Sequence, residues 1–198
     1  MACVHFEYLQ KRIDALKAKF VQAQLEEENR EPLSYIPDTD SLAAFRLLAH
    51  AEIEDYLERK ATQGLSRIES DFSGGRKAIR ECIDILVVAL TLIDTLKQMP
   101  RLESPHWESD VARTIKHARD SVRENNGIKE YSFARLAVFA GKMPDEIDNA
   151  LVASLTSYGS SRGDVAHQSA ARVTTILAPS AEAKAVDDIL KQLEGYFS

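Results

Sequence analysis

The 198-residue sequence lacks the features that mark several common classes of protein. Its two cysteines, Cys3 and Cys82, lie far apart and have no Cys or His neighbours at zinc-ligand spacing, so they indicate neither a disulfide framework nor a zinc site. The most apolar run, residues 85–93, is far shorter than the roughly 20 residues that a membrane-spanning helix needs. We therefore expect this run to form a buried core helix, and we expect no contact with a membrane.

Signals for a leader peptide, a bound metal and a cofactor are also missing. The first residues have neither the basic start nor the long apolar stretch of a secretory signal, which predicts a cytoplasmic protein. None of the five histidines lies four residues from another, so no helix can present a histidine pair to a metal. There is no nucleophile elbow and no phosphate-binding glycine loop. The sequence thus predicts no metal site and no cofactor.

The charge pattern gives a mixed signal about nucleic acid. Twenty-five Lys and Arg against 31 Asp and Glu leave a net charge of −6, which disfavours indiscriminate binding to polyanions. Between Val111 and Lys142, however, seven basic residues face three acidic ones. This basic stretch is open to two interpretations: a surface that faces a polyanion, or a solvated helix face with interspersed salt bridges.

Apolar residues recur at helical spacing along nearly the whole chain, and strand-like alternation is almost absent. This predicts an all-α fold in a single helical domain over residues 1–198, with no repeat and no linker. Asp40 or Ser41 is the expected N-cap of the second helix. A break at residues 159–161 separates two of the later helices. The predicted helices cover about residues 4–30, 41–73, 76–99, 107–124, 132–140 and 144–158, followed by one from about Arg162 and one after Ser180.

One segment combines residue types that can cleave a phosphodiester. In residues 160–167, SSRGDVAH, the cation Arg162 precedes His167 by five positions. Attack by an RNA 2′-hydroxyl needs proton transfer and positive charge near the phosphorus, which imidazole and guanidinium supply. After the predicted break, Arg162 would lie at a helix start, where Ser161 and Asp164 make a weak capping box and the helix adds partial positive charge. An arginine and a histidine also occur this close by chance, so the residues alone leave the site open.

Two regions of the chain resemble HEPN domains, most closely those of the RiboL-PSP-HEPN kind. From about Asn125 to Ala170, the segment NGI (126–128), a short helix ending at Gly141, an amphipathic helix ending at Tyr158 and the Arg-x4-His motif follow one another as in the C-terminal half of those domains. Residues 48–57, LAHAEIEDYL, are similar to their early core helix. The resemblance therefore extends over about residues 42–171.

The resemblance implies an HEPN-like helical bundle that forms a homodimer. It also implies a metal-independent endoribonuclease in which Arg162 and His167 of both subunits are the catalytic residues. Many HEPN proteins are toxins or phage-defence effectors, which implies RNA as the substrate and an antitoxin or other regulatory protein as a partner. A non-catalytic HEPN module that binds nucleotide or RNA, or mediates assembly, is the alternative, and the fold does not decide between them.

Two positions depart from the HEPN pattern, and two others are secondary candidates for the site. Gly163 follows the arginine where a polar residue is common, with the polar group displaced to Asp164, and Ser169 replaces the tyrosine that is modified in some HEPN toxins, which disfavours that form of control. Glu52 or His50 could orient the motif, as second-shell groups do, or could be boundary residues of a helix. Asp164 could equally be a helix-start acid.

Overall fold

The computed structural model describes residues 3–73, 107–167 and 176–198. Within these ranges every regular element is helical, so the predicted all-α helical bundle is confirmed. Besides the short 3₁₀ turn Pro144–Glu146, the α-helices are α1 (Val4–Phe20), α2 (Gln22–Arg30), α3 (Thr39–Ser73), α4 (Trp107–Arg123), α5 (Glu130–Phe139), α6 (Asn149–His167) and α7 (Pro179–Phe197). The predicted helix at about 76–99, with Cys82 and the apolar run, lies outside the described residues, as does Ser169. No described helix combines the length and the apolar character needed to cross a bilayer.

The chain divides into two compact units. The first contains Met1–Tyr56, Gly127–Glu130 and Asp148–Ser198, and the second contains Leu57–Asn126 and Tyr131–Ile147. The single domain expected from the sequence stays a prediction. All the candidate site residues belong to the first unit.

The first unit is built around apolar stripes on α1, α3, α6 and α7. In its core α7 packs against α1, α2 and α6. Tyr56, in the middle of α3, contacts the start of α1 and the end of α7, because its ring meets those of Phe6 and Phe197 edge-on, each at 5.9 Å between centroids. The fully buried side chains of this unit include Leu9, Ile13, Leu42, Phe45, Ile53, Leu151, Leu155, Val186 and Leu193. These side chains form the apolar core on which the polar residues of the site lie, and their burial stabilises the unit.

In the second unit, α3 and the end of α5 approach each other more closely than side chains normally allow. A Cβ on Gly64 would lie 2.2 Å from the carbonyl oxygen of Phe139, so only glycine fits at this crossing. Phe133, Leu136, Leu65 and Ile68 fill the core around it. The predicted helices at about 107–124 and 132–140 are confirmed here to within two residues.

Three predicted helix boundaries are wrong. The N-terminal segment forms two helices rather than one, because the fully buried, β-branched Val21 has a φ of −119°. Pro144 starts only a 3₁₀ turn, and α6 begins at Asn149, where Asp148 accepts hydrogen bonds from the N–H groups of Ala150 and Leu151. Most importantly, α6 continues through residues 159–161 without a break.

The N-cap of α3 is Asp38, whereas the sequence predicted Asp40 or Ser41. Its Oδ1 accepts hydrogen bonds from the backbone N–H groups of Asp40 and Ser41, both at 3.1 Å. Its Oδ2 accepts one from the Ser41 hydroxyl at 2.6 Å. Because these bonds favour the ionised carboxylate, they hold the pKa of Asp38 below its ordinary value.

Asp38→Ala is expected to lower the free energy of unfolding by roughly 1 kcal/mol at neutral pH. Asp40→Ala is the matched control, because the Asp40 side chain accepts no hydrogen bond from the described residues. Since folding lowers the pKa of Asp38, its contribution is present above the ordinary carboxyl pKa of about 3.9 and is lost as the pH falls through the folded value. Urea unfolding of both variants at several pH values checks this. An equal loss in the two variants would contradict the assignment of the cap.

Candidate functional site

The continuous course of α6 changes the setting of the Arg-x4-His motif. Arg162 lies more than three turns after the start of α6 at Asn149, so the predicted placement at a helix start is wrong. The partial positive charge of a helix N-terminus is confined to the first turn and does not reach it. Ser161 and Asp164 are also inside the helix, which removes the predicted capping box and the role of Asp164 as a helix-start acid. The Ser161 hydroxyl instead donates to the carbonyl of Ser157 at 3.1 Å.

Burial explains why α6 tolerates Gly159-Ser160-Ser161. Glycine in a helix costs about 1 kcal/mol relative to alanine, and serine costs less. The buried stripe of α6 continues on both sides of these residues, through Leu155 and Tyr158 before them and Val165 after them. The free energy gained by burying these side chains exceeds that cost, so the local propensity for a break is overridden.

The two members of the motif occupy different positions along α6. Arg162 lies one turn after the buried Tyr158, and His167 is the last residue of the helix. Positions five apart on a straight α-helix are separated by about 140° around its axis.

Arg162 is a half-buried cation that no described carboxylate neutralises. Its Nε is buried and has no hydrogen-bond partner in the part of the chain that the structure describes. Buried donors are nearly always paired in folded proteins, so an unpaired guanidinium nitrogen calls for a functional explanation. A guanidinium in this state can donate two parallel hydrogen bonds to a phosphate or a carboxylate.

His50 lies on α3 against Tyr158 and Gly159 of α6, the turn before Arg162, and is almost completely buried, with 2% of its side chain exposed. Its ring lies nearly parallel to that of Tyr158, at 17° and 6.4 Å between centroids. Burial, followed by the positive charges of Arg162 and Lys129, lowers the pKa of His50 to about 4. The imidazole is therefore neutral at pH 7, and its burial leaves it almost no surface for contact with a substrate.

Glu54 is the carboxylate beside His50, while Glu52, the acid predicted to support the motif, pairs with Arg12. His50 Nδ1 has no hydrogen bond among the described residues and lies 3.7 Å from Glu54 Oε2. Glu52 Oε1 accepts a hydrogen bond from Arg12 Nε of α1 at 2.8 Å. The structure thus brings His50 to the motif arginine and ties Glu52 to a different helix.

A buried ion pair joins α3 to α7 next to the turn of α6 that precedes Arg162. Arg46 and Glu182 are each 2% exposed and make two contacts, one of them 3.1 Å between Nε and Oε2. Arg46 Nη1 also donates to the carbonyl oxygen of Ser161 at 3.3 Å, and the Tyr158 hydroxyl donates to the Arg46 carbonyl at 3.3 Å. Burial, with the nearby Glu182 carboxylate, raises the pKa of Tyr158, which keeps it a hydrogen-bond donor. The pair thereby fixes the turn of α6 that carries Arg162.

The sequence offered one signal for this ion pair, and it was missed. Arg46, His50 and Glu54 follow one another at intervals of four, so they lie along one line of α3. That line adjoins the apolar stripe on which Phe45 and Ala49 are completely buried. Charged residues at such positions indicate buried polar contacts, but no sequence pattern identifies Glu182 as the partner.

A cavity of about 430 Å³ lies beside this ion pair, within the first unit. Its polar wall contains Ser154, Ser157 and Ser161 together with Arg46 and Glu182, and Ile189 contributes to its apolar wall. Its volume falls in the range typical of small-ligand sites. Across the described ranges, no group of three His, Cys, Asp or Glu side chains is placed to hold a metal ion.

The basic stretch between Val111 and Lys142 has many of its cations engaged. Arg119 pairs with Glu69 at 2.5 Å, Arg123 with Asp120 at 3.3 Å, and Arg135 donates to the Asn125 side chain at 2.9 Å. These contacts favour the interpretation of this stretch as a helix face with interspersed salt bridges. They leave Lys129, which precedes α5, as a cation of the first unit rather than of that face.

Comparison of the chain with protein-family models, with curated proteins and with solved structures found no match. The function proposed below is therefore argued from the residues of the first unit and from the resemblance of the motif region.

Proposed function

We propose that the protein is a metal-independent endoribonuclease of the HEPN type, with Arg162 binding the scissile phosphate and His167 transferring protons. The observation that carries this proposal is the state of Arg162, a half-buried guanidinium with an unpaired buried Nε and no described carboxylate partner. The neutral imidazole of His50, which lies against the preceding turn of α6, does not compete for an anion. Such a guanidinium suits a phosphodiester, whose two free oxygens match its paired donors.

The chemistry requires no group beyond the side chains and the RNA. The 2′-hydroxyl loses its proton to a base and attacks phosphorus, the bond from phosphorus to the 5′-oxygen breaks, and that oxygen takes a proton from an acid. The products are a 2′,3′-cyclic phosphate and a 5′-hydroxyl. Arg162 would stabilise the extra negative charge of the phosphorane, and His167 would serve as the base or the acid.

A homodimer would complete this site, for two reasons. One His167 supplies one proton-transfer group, whereas the reaction uses an acceptor and a donor. Within one chain, positions 162 and 167 are also separated by about 140° around the axis of α6. A two-fold axis close to α6 would let residues of both chains approach one phosphodiester. We include in the proposal a cytoplasmic location and control by an antitoxin or another regulatory protein, as the HEPN resemblance implies.

Incubation of the purified protein with total RNA tests this function. We expect cleavage that persists in excess chelator and leaves 2′,3′-cyclic phosphate ends, which end-specific enzymatic labelling detects. The control is the same reaction with RNA that carries 2′-O-methyl groups, which lacks the attacking hydroxyl and should stay intact. Cleavage that stops in chelator and returns with Mg²⁺ would contradict the mechanism.

A second candidate is a binding module without catalysis, and the cavity between α6 and α7 favours it. Its serine hydroxyls and its apolar wall could contact a nucleoside-sized ligand, and the Arg46–Glu182 pair beside it is already satisfied. This candidate predicts that nucleotides raise the melting temperature while RNA stays uncut. The RNA experiment thus separates the two functions.

A further inference from the structure

The loop of residues 127–130 is held against α3 at its beginning. The backbone N–H of Gly127 donates a hydrogen bond to the Glu54 carboxylate of α3. Gly127 has a φ of +121°, in the left-handed region where glycine is favoured. The next side chain, Ile128, is completely buried. The chain just before Lys129 therefore has a single well-defined course.

The same loop is held against α6 at its end. The N–H of Glu130 donates to the Thr156 hydroxyl of α6 at 3.0 Å. A Cβ on Gly159 would lie 3.1 Å from Cγ of Lys129 and 3.7 Å from Nε2 of His50. The missing side chain of Gly159 thus leaves room for the close approach of the lysine stem, while the imidazole lies at an ordinary contact distance. Lys129 is placed over α6 by contacts on both sides of it.

Arg162 lies three residues after Gly159, so the two positions are neighbours on the surface of α6. Gly159 lies against both the Lys129 stem and the His50 imidazole, and the positive charges of Arg162 and Lys129 both lower the pKa of that imidazole. Lys129 is exposed and, like Arg162, makes no ion pair with any residue in the described ranges. The Glu54 carboxylate, which accepts the Gly127 N–H, lies on the Nδ1 side of His50, whereas Gly159 and the Lys129 stem lie on its Nε2 side. Two cations on that side repel each other, and an anion bound between them would relieve that repulsion.

We propose that Lys129 and Arg162 form a phosphate-binding subsite, built on Gly159 and backed by His50, that holds a phosphate of the RNA chain. The subsite itself rests on the placement of these four residues, while RNA as its ligand rests on the proposed function. Lys129 binds substrate here and takes no part in proton transfer.

The test measures binding without cleavage. A fluorescent 12-nucleotide RNA carrying 2′-O-methyl groups is titrated with wild-type protein, Lys129→Gln and Lys191→Gln at several KCl concentrations, and anisotropy reports the affinity. Lys191 is the matched control, because it is an exposed lysine of α7 with no ion pair to the described residues. Lys129→Gln keeps the stem on Gly159 and removes only the charge. It should lower the slope of log affinity against log salt by about 0.7 and weaken binding about five- to tenfold in 50 mM salt, whereas Lys191→Gln should change neither.

The other possible outcomes bear either on the subsite itself or on RNA as its ligand. Equal effects of the two variants, with unchanged melting temperatures, would overturn the subsite, even if the wild-type protein cleaves RNA. If the wild-type protein fails to bind the oligonucleotide, inorganic phosphate is titrated instead, followed by amide chemical shifts of Lys129 and Gly159. Shifts that Lys129→Gln abolishes would retain the subsite as a site for free phosphate and remove RNA as its ligand. Absence of binding to either probe would overturn the subsite.

Discussion

Replacing Arg162 with alanine is expected to slow RNA cleavage by about 10²- to 10³-fold, the usual effect of removing one group that stabilises the charge of a transition state. Replacing His167 with alanine should slow cleavage by about 10²- to 10⁴-fold, as expected for a general acid or base. Folding should change little in the Arg162 variant, because Nε of Arg162 has no described hydrogen-bond partner that its loss would leave unpaired. Initial rates on a short RNA, with circular dichroism and thermal melting, measure both effects.

Three further variants test whether the effects are specific to the guanidinium and to the motif. Arg162→Lys keeps the charge but loses the paired donors of guanidinium, so its rate should fall between those of wild type and Arg162→Ala. Arg30→Ala and His5→Ala remove the same residue types elsewhere in the first unit and should leave the rate unchanged. Wild-type turnover in either motif variant would show that the site is assigned wrongly. Unfolding of both would show that the pair is structural.

The wild-type protein and the two motif variants also test the homodimer. The proposed site is composite, because it combines Arg162 and His167 of both subunits. The chain has a mass of 22.1 kDa, so light scattering should give about twice that value. Mixing the two inactive variants should restore part of the activity if Arg162 of one subunit and His167 of the other act on one phosphate. A monomer that cleaves RNA would remove the composite site and would require a second proton-transfer group within one chain.

The sequence predicted the helical elements well where apolar periodicity was long, and failed where local residue preferences opposed burial. The stripe that includes Leu42, Phe45 and Ile53 correctly defined α3 as far as Ser73. Gly159-Ser160-Ser161 has a composition typical of a turn, yet α6 continues through it because the flanking side chains are buried. Burial of this kind is decided by other helices, which a local pattern does not contain.

The candidate site shows the same limit at the level of single residues. The motif itself selected Arg162, and the resemblance of residues 48–57 drew attention to His50, which the structure places near it. Glu52 was named as a supporting residue, because the sequence does not show that Arg12 engages it, and Glu54 was not considered. Lys129 was counted only as part of a basic stretch. Its position depends on Gly127 and on Thr156 and Gly159 of α6, about thirty residues later, which meet only in the folded chain.

The largest effect on stability is expected at the buried ion pair, where Arg46→Met or Glu182→Leu should each cost about 3–5 kcal/mol of the free energy of unfolding. Either change leaves one charge buried without its partner, since both side chains are 2% exposed. Glu182→Leu also removes the acceptor of the Leu177 N–H, which lies 2.8 Å from Oε1. Urea unfolding at pH 7 measures both losses.

The double variant Arg46→Met with Glu182→Leu separates an uncompensated charge from lost packing. It removes both charges and keeps apolar volume, so it should be more stable than either single variant. The matched control is the exposed pair Lys184 and Asp188 on the same helix, where the same substitutions should cost no more than about 1 kcal/mol.

The double variant should also affect catalysis, because the Arg46 guanidinium binds the carbonyl of Ser161, next to Arg162. A folded double variant should therefore cleave RNA much more slowly than wild type, even where its stability falls only a little. Single variants no less stable than the control pair would mean that Arg46 and Glu182 do not form a buried contact, and that another interaction holds the Arg162 turn of α6.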